Sequence, residues 1–300
     1  MMTTLTRQLQ EHKPLKNLSN FGIGGPARYY ASVNSVDDMC DILRFASQEN
    51  LPYIILGKGS NCLFDDRGYD GLVIHNKIDF MNDETPSIFY VGAGYSFSRF
   101  GAMTARKGWS GLEFASGIPG TIGGAIYMNA GANGGETCDT LTSVEFVTPD
   151  GNLVRYERNE LDFSYRTSPF QQLPGAIVAA TFTLFASENA RYDQINIVRY
   201  RQATQPYDMP SAGCIFRNPT VGSAGALIDK VGLKGLRVGG AVVSPVHANF
   251  IVNGGNATSA DVLALILTVQ ERILEATGIS LESEVVYVPY EGVKQGILHG

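Results

Sequence analysis

In "SVDDMCDILRFASQEN" the apolar residues Val36, Met39, Cys40 and Leu43 recur at the spacing of one helical face. Ser35 stands at the N-cap and Asp38 at the capping-box position, so the segment reads as a helix with Cys40 on its core face. "LPYIILGKGSN" runs from a continuous apolar stretch into a tight polar loop, the pattern of a buried strand entering a turn. "GLVIHN" and "SIFYVGAG" read as further short strands. "SFSRFGAMTARKGW" reads as a helix capped by Ser96 and ended near Gly108. "SVEFVTPDGNLVRY" alternates, turns at Pro149-Asp150-Gly151 and alternates again, which predicts a hairpin. "GAIVAATFTLFAS" adds another strand.

From about residue 190 the order changes. A helical stretch over about 190–204 is followed by a short helix in "GALIDKVG" and strands around 238–252. A long helix in "TSADVLALILTVQERILEATG" and a last strand in "SEVVYVPY" complete the chain. Strand and helix do not alternate strictly, so the expected class is α+β with mixed sheets. Boundaries near residues 80 and 188 give three segments, 1–80, 81–188 and 189–300.

At 300 residues the chain can carry two or three subdomains, and 44% apolar with 17% charged residues is ordinary for a globular protein. A net charge of -6 without a basic stripe argues against a nucleic-acid partner. No apolar run reaches the ~18 residues of a membrane span, so no membrane insertion is expected. "MMTTLTRQLQEHKP" has no apolar core of a secretory leader. Cys40, Cys62, Cys138 and Cys214 lie far apart, as in a reducing cytoplasm, and a cytoplasmic monomer is expected. His12, His75, His247 and His299 lack metal-ligand spacing, so no metal is expected.

Glycine changes the picture more. The 34 glycines cluster at 22–25, 57–59, 117–124, 131–135 and 232–240. In "GKGSN" (57–61), successive glycines let backbone N–H groups converge on an anion, with Ser60 and Asn61 as further donors. A plain turn is the alternative. In "ASGIPGTIGGAIYMNAGANGGE" (115–136), Gly117, Gly120, Gly123 and Gly124 share one loop stiffened by Pro119. Neither loop fits the Rossmann fingerprint or a P-loop, so a dinucleotide here requires another scaffold.

"NFGIGGPA", "LGKGSN", "SGIPGTIGGAIYMNAGANGGE", "SYRTSPF", "SAGCIFRNP", "KGLRVGGAVVSPVHANFIVN" and "LESEV" occur in this order over nearly the whole chain. Together they closely resemble the UDP-N-acetylenolpyruvoylglucosamine reductase (MurB) family of bacterial peptidoglycan synthesis. The resemblance implies an FAD-binding half of the vanillyl-alcohol-oxidase type, built of two α+β subdomains, and a C-terminal α+β substrate domain. "SYRTSPF" without a long insertion is similar to the shorter class, which lacks an extra tyrosine-bearing loop. The implied cofactor is FAD and the implied hydride donor is NADPH. The implied reaction reduces the enolpyruvyl group of UDP-N-acetylglucosamine enolpyruvate to UDP-N-acetylmuramate.

Three residues match the family's catalytic positions. Arg166 suits bidentate grip of a carboxylate, and Tyr165 and Phe170 beside it suggest partial burial; a surface ion pair is the alternative. Glu284 alternates with Val286 and Val288, and a carboxyl on an apolar face should have a raised pKa. Alternation puts Glu282 on the same face, and only motif position favours Glu284. Cys214 stands where the family commonly has serine as proton donor; an ordinary thiol, with pKa about 8.5, is mostly protonated at neutral pH. A buried structural thiol is the alternative.

For FAD, the resemblance carries over Gly57, Lys58, Gly59, Ser60 and Asn61 in the first loop. In the second it carries over Gly117, Ile118, Pro119, Gly120, Thr121, Gly123, Gly124, Ala125, Ala130 and Gly131, with Ile177 beyond. For the UDP-sugar it points to Asn218, Lys234, His247 and Asn249.

Overall fold

The computed structural model describes residues 9–292. Residues 1–8 of the stretch read for a leader, and His299, lie outside them.

The first lobe is a four-stranded sheet in the order Gln10–Pro14, Pro26–Val33, Tyr69–Asn76, Tyr53–Leu56. Its last three strands are mutually parallel and its first is antiparallel. Helix α1 (Val36–Gln48) covers one face. The Ser35 hydroxyl accepts the Asp38 N–H at 3.1 Å, as the sequence predicts. Met39, Ile42 and Leu43 are buried beneath it, each contributing roughly 1.5–3 kcal/mol. Cys40 is only partly buried, at the edge of this core.

The second lobe is a five-stranded antiparallel sheet ordered Leu153–Glu157, Leu141–Val147, Ala176–Thr183, Ile88–Gly92, Met81–Asn82. Its hairpin turns where expected, with the Gly151 N–H donating to the Thr148 carbonyl at 2.9 Å. Helices α2 (Phe97–Arg106) and α3 (Ile122–Tyr127) pack with this lobe over aromatic rings such as Phe100 and Phe182, centroids 5.3 Å apart. Buried Asn76 ties the two lobes together. Its amide donates to the Ile177 carbonyl at 2.9 Å and accepts from the Ile78 N–H at 3.2 Å.

Helix α4 (Ala190–Thr204) packs on α2 and on the turn Glu113–Gly117, although the sequence pattern groups it with 189–300. The third lobe follows it, a sheet ordered Ser211–Cys214, Phe250–Asn253, Ala241–Val243, Arg237–Val238. Helices α5 (Ala224–Lys230) and α6 (Ser259–Thr277) pack with it. A reciprocal capping box of Thr258 and Asp261 starts α6, and left-handed Gly278 ends it.

The chain then returns to the first lobe. Val286–Val288 pairs in parallel with Cys62–Phe64. The regular strand begins only at Val286, so residues 281–285 escape strict alternation. This corrects one expectation: Glu282 is exposed, while Glu284 is largely buried.

Candidate active site

A cavity of about 310 Å³ opens where the three lobes meet. All of Gly57–Asn61 line it, as do Ile118–Thr121, Gly123–Ala125, Ala130, Gly131 and Ile177. Gly117 stands just outside the lining.

The loop can make this turn because of its glycines. Gly59 has φ +61°, and a Cβ there would fall 2.1 Å from the Leu18 carbonyl oxygen. A Cβ on Gly57 would fall 2.4 Å from Thr121 Oγ1, so the two glycine loops touch at that point. The Ser60 hydroxyl is buried without a partner. Among the described residues, the amides of Lys58, Gly59, Ser60 and Asn61 donate no hydrogen bond. Such converging, unspent donors fit the phosphates of a dinucleotide.

Arg166, Cys214 and Glu284 line the same cavity, with Arg166 and Glu284 bonded directly to the glycine loops. Arg166 Nε donates to Glu284 Oε1 at 2.9 Å, and its Nη2 donates to the Gly131 carbonyl at 2.8 Å. The two side chains are 17% and 15% exposed, so the pair is screened from water far more than a surface ion pair. The guanidinium also lies 4.8 Å from the Tyr165 ring centroid. Arg166 sits at φ +56° in a tight turn closed by Ser164 and Thr167, a conformation that costs on the order of 1 kcal/mol. Gln171 Nε2 donates to the Arg166 carbonyl at 3.0 Å, and Asn129 Nδ2 to the Ser164 carbonyl at 2.9 Å. These two amides hold the turn.

Burial raises the pKa of Glu284 despite the opposing pull of Arg166 and Arg217. Burial also pushes the Cys214 thiol up to about 11, helped by the Glu284 charge and opposed by Arg201 and Arg166. The thiol therefore differs from the ordinary one expected from sequence: it is held protonated well above neutral pH.

Asn218, Lys234, His247 and Asn249 do not line the cavity. Asn218 Oδ1 accepts the Ala224 N–H at 3.0 Å, and its own N–H reaches the Tyr165 hydroxyl at 3.4 Å. Lys234 pairs with Asp229 at 2.8 Å. Asn249 is buried with both ends of its amide on the Phe216 main chain, at 3.0 and 2.8 Å. His247 Nδ1 accepts the Asn249 N–H at 3.2 Å, and burial lowers its pKa. Burial thus favours the neutral ring, and with Nδ1 accepting, that form carries its proton on Nε2.

Sequence reasoning missed Arg201 and Gln205, which enter the wall from α4 and the residue after it. Arg201 Nε donates to the Gly117 carbonyl at 3.0 Å, and Tyr207 OH to the same oxygen at 3.2 Å. The one available signal was Gly117, where a Cβ would lie 2.4 Å from Arg201 Cδ.

Two glycine loops beside a largely buried arginine–carboxyl pair and a thiol suit a nucleotide-dependent enzyme with an anionic substrate. The comparisons carry this further. A family model described as "FAD binding domain" matches residues 27–157, and one described as "UDP-N-acetylenolpyruvoylglucosamine reductase, C-terminal domain" matches 205–288. The chain is 58% identical over 292 residues to the UDP-N-acetylenolpyruvoylglucosamine reductase of Protochlamydia amoebophila, covering 97% of each chain. It is 50% identical over 283 residues to that of Chlamydia muridarum, covering 94% of this chain and 95% of the relative. The crystal structure of UDP-N-acetylenolpyruvylglucosamine reductase (MurB) from Thermus caldophilus matches with TM-score 0.80 at 38% identity, over 93% of this chain and 99% of that one. The chain belongs to the UDP-N-acetylenolpyruvoylglucosamine reductase family.

Proposed function

We propose that Arg166, Cys214 and Glu284 carry out the reduction of the enolpyruvyl group in this protein. The activity is the family's: NADPH-dependent, FAD-mediated conversion of UDP-N-acetylglucosamine enolpyruvate to UDP-N-acetylmuramate in peptidoglycan synthesis. The observation that supports the residue assignment is their meeting on one wall of the cavity that the two glycine loops line.

Bound FAD would supply the hydride chemistry between NADPH and the enolpyruvyl double bond. Residues 57–61, 118–121, 123–125, 130, 131 and 177 would hold it, through backbone donors and close approach. Arg166 binds the substrate carboxylate and stabilises the negative charge that grows on it after hydride addition. The ion pair with Glu284 keeps the guanidinium in place before substrate arrives. Glu284, whose pKa is raised by burial, donates a hydrogen bond to the enolate oxygen once it has taken up a proton. The Cys214 thiol gives its proton to the adjacent carbon and regains one from water.

The first two segments, up to residue 188, hold the cofactor and the third holds the UDP-sugar. Asn218, Lys234 and neutral His247 supply donors to the diphosphate, and Asn249 braces the strand behind Cys214. One chain supplies all three reacting groups, which supports a monomer as the working unit. Among the described residues no helix is long and apolar enough to cross a membrane. The unpaired cysteines support work in the reducing cytoplasm.

The test is anaerobic. Purified protein should be yellow, bleach with NADPH and regain colour with the enolpyruvyl UDP-sugar. Colour restored by oxygen alone would indicate an oxidase. Colourless protein that binds only the sugar nucleotide would indicate a non-catalytic binder.

A further inference from the structure

Glu284 is held at three points by three separate parts of the chain. Its backbone N–H donates to the Ile215 carbonyl at 2.7 Å, next to Cys214. Its carboxyl takes Arg166 Nε at 2.9 Å, and that guanidinium also grips Gly131 of the second glycine loop. Its backbone carbonyl accepts the Asn61 side-chain Nδ2 at 3.0 Å, across 223 residues of sequence. Asn61 belongs to the first glycine loop, and its own carbonyl accepts the Val286 N–H at 2.9 Å. The residue that closes the phosphate cradle therefore clasps the segment 284–286 from both sides of its own peptide unit.

The geometry points to Asn61 as a positioning residue for Glu284, one that ties the order of the flavin loop to the placement of the second-step carboxyl. Residues 281–285 lack a regular ladder on the first-lobe side; the parallel pairing begins at Val286 with Cys62. On the other side the bridge of Phe216 to Ser283, the Arg217 and Glu284 amide bonds and the Gln270 side chain on the Leu281 carbonyl at 2.8 Å fix them. Without the Asn61 amide, the Glu284 carbonyl loses its partner and the residue is held only by its own N–H, by the Val286 N–H and by Arg166, so the carboxyl is placed less firmly. A reacting group displaced by about 1 Å can lose on the order of 10²-fold in rate. Of the three anchors, Asn61 is the only side chain that makes its contact without touching the carboxyl itself. One of its two Nδ2 hydrogens is committed to the protein, so Asn61 has a role beyond that of a loop donor to phosphate.

The inference rests on Glu284 acting in the second half-reaction. The experiment uses flavin-loaded Asn61→Ala and Asn61→Asp, which both remove the donor but differ in charge, with Glu284→Gln as control. Bleaching by NADPH and reoxidation by the enolpyruvyl UDP-sugar are timed separately under anaerobic stopped flow. FAD affinity is measured independently by fluorescence quenching on reconstitution. In both Asn61 variants reoxidation should slow at least tenfold more than bleaching, and the FAD Kd should weaken by less than that same factor. Equal slowing of both steps, no slowing of either, or a loss of FAD affinity that exceeds the loss in reoxidation would overturn the inference and leave Asn61 a cofactor ligand. If Glu284→Gln itself leaves reoxidation intact, the assignment of Glu284 fails. If Glu284→Gln slows reoxidation while the Asn61 variants show no split, only the inference about Asn61 fails.

Discussion

Cys214 is half-buried beside a carboxyl, and its raised pKa suits a proton donor better than a nucleophile. With its pKa pushed up to about 11, the thiolate that alkylating agents attack is scarce at neutral pH. Iodoacetamide should therefore modify Cys214 slowly at pH 7.5, with the rate rising about tenfold per pH unit toward the alkaline side. Bound UDP-sugar should protect it. Rapid loss of the thiol at neutral pH, followed by mass spectrometry, would contradict the buried-thiol picture. Glu284 carries the complementary prediction. Its raised pKa means that the folded protein holds this proton where the unfolded chain has released it. The stabilising proton is fully present at low pH and is lost as pH rises through the folded pKa. Reoxidation of flavin by substrate should fall along the same limb, and Glu284→Gln should flatten it in a pH–rate profile.

At the scale of elements, the sequence made some features plain and hid others for physical reasons. Local chemistry was legible: Ser35 and Ser96 cap their helices and Gly151 turns the hairpin. Each of these depends on residues a few positions apart. Thr258→Ala, far from the catalytic wall, should cost about 1 kcal/mol in denaturant unfolding while leaving both half-reactions intact. What pairs across the chain was not legible. Alternation could not distinguish Glu282 from Glu284, because the strand that sets alternation starts only at Val286. Arg201 read as one more polar residue of a helix, since its partner is the carbonyl of Gly117, 84 residues away. The cradle itself was visible in its glycines, and most of the residues carried over by resemblance do line one cavity. The residues carried over for the diphosphate lie outside that lining, in hydrogen bonds and an ion pair that sequence patterns do not reveal. Gly59→Ala tests the cradle directly: the new Cβ would meet the Leu18 carbonyl at 2.1 Å, so the variant should purify with much less FAD, read from its visible absorbance.

At the scale of the whole molecule, the cavity lies where three lobes meet, and its walls come from residues as distant as Ile54 and Val286. The last strand returns to the first lobe and carries Glu284 to the loop of Gly57–Asn61. A cofactor bound at such a junction stabilises all the lobes that enclose it. At free FAD a hundredfold above its Kd, the gain should be about 2.7 kcal/mol, visible as a raised Tm of reconstituted over stripped protein. An unchanged Tm would separate cofactor binding from the fold.

The central claim is that a thiol supplies the proton for the second half-reaction. It is tested most directly by anaerobic single-turnover reoxidation of NADPH-bleached Cys214→Ala and Cys214→Ser by the enolpyruvyl UDP-sugar. The alanine variant should bleach and then regain its colour on the order of 10²–10⁴ times more slowly than the native enzyme, while the serine variant recovers much of the rate. Colour returning to the alanine variant at the native rate would contradict the assignment of Cys214 as the acid.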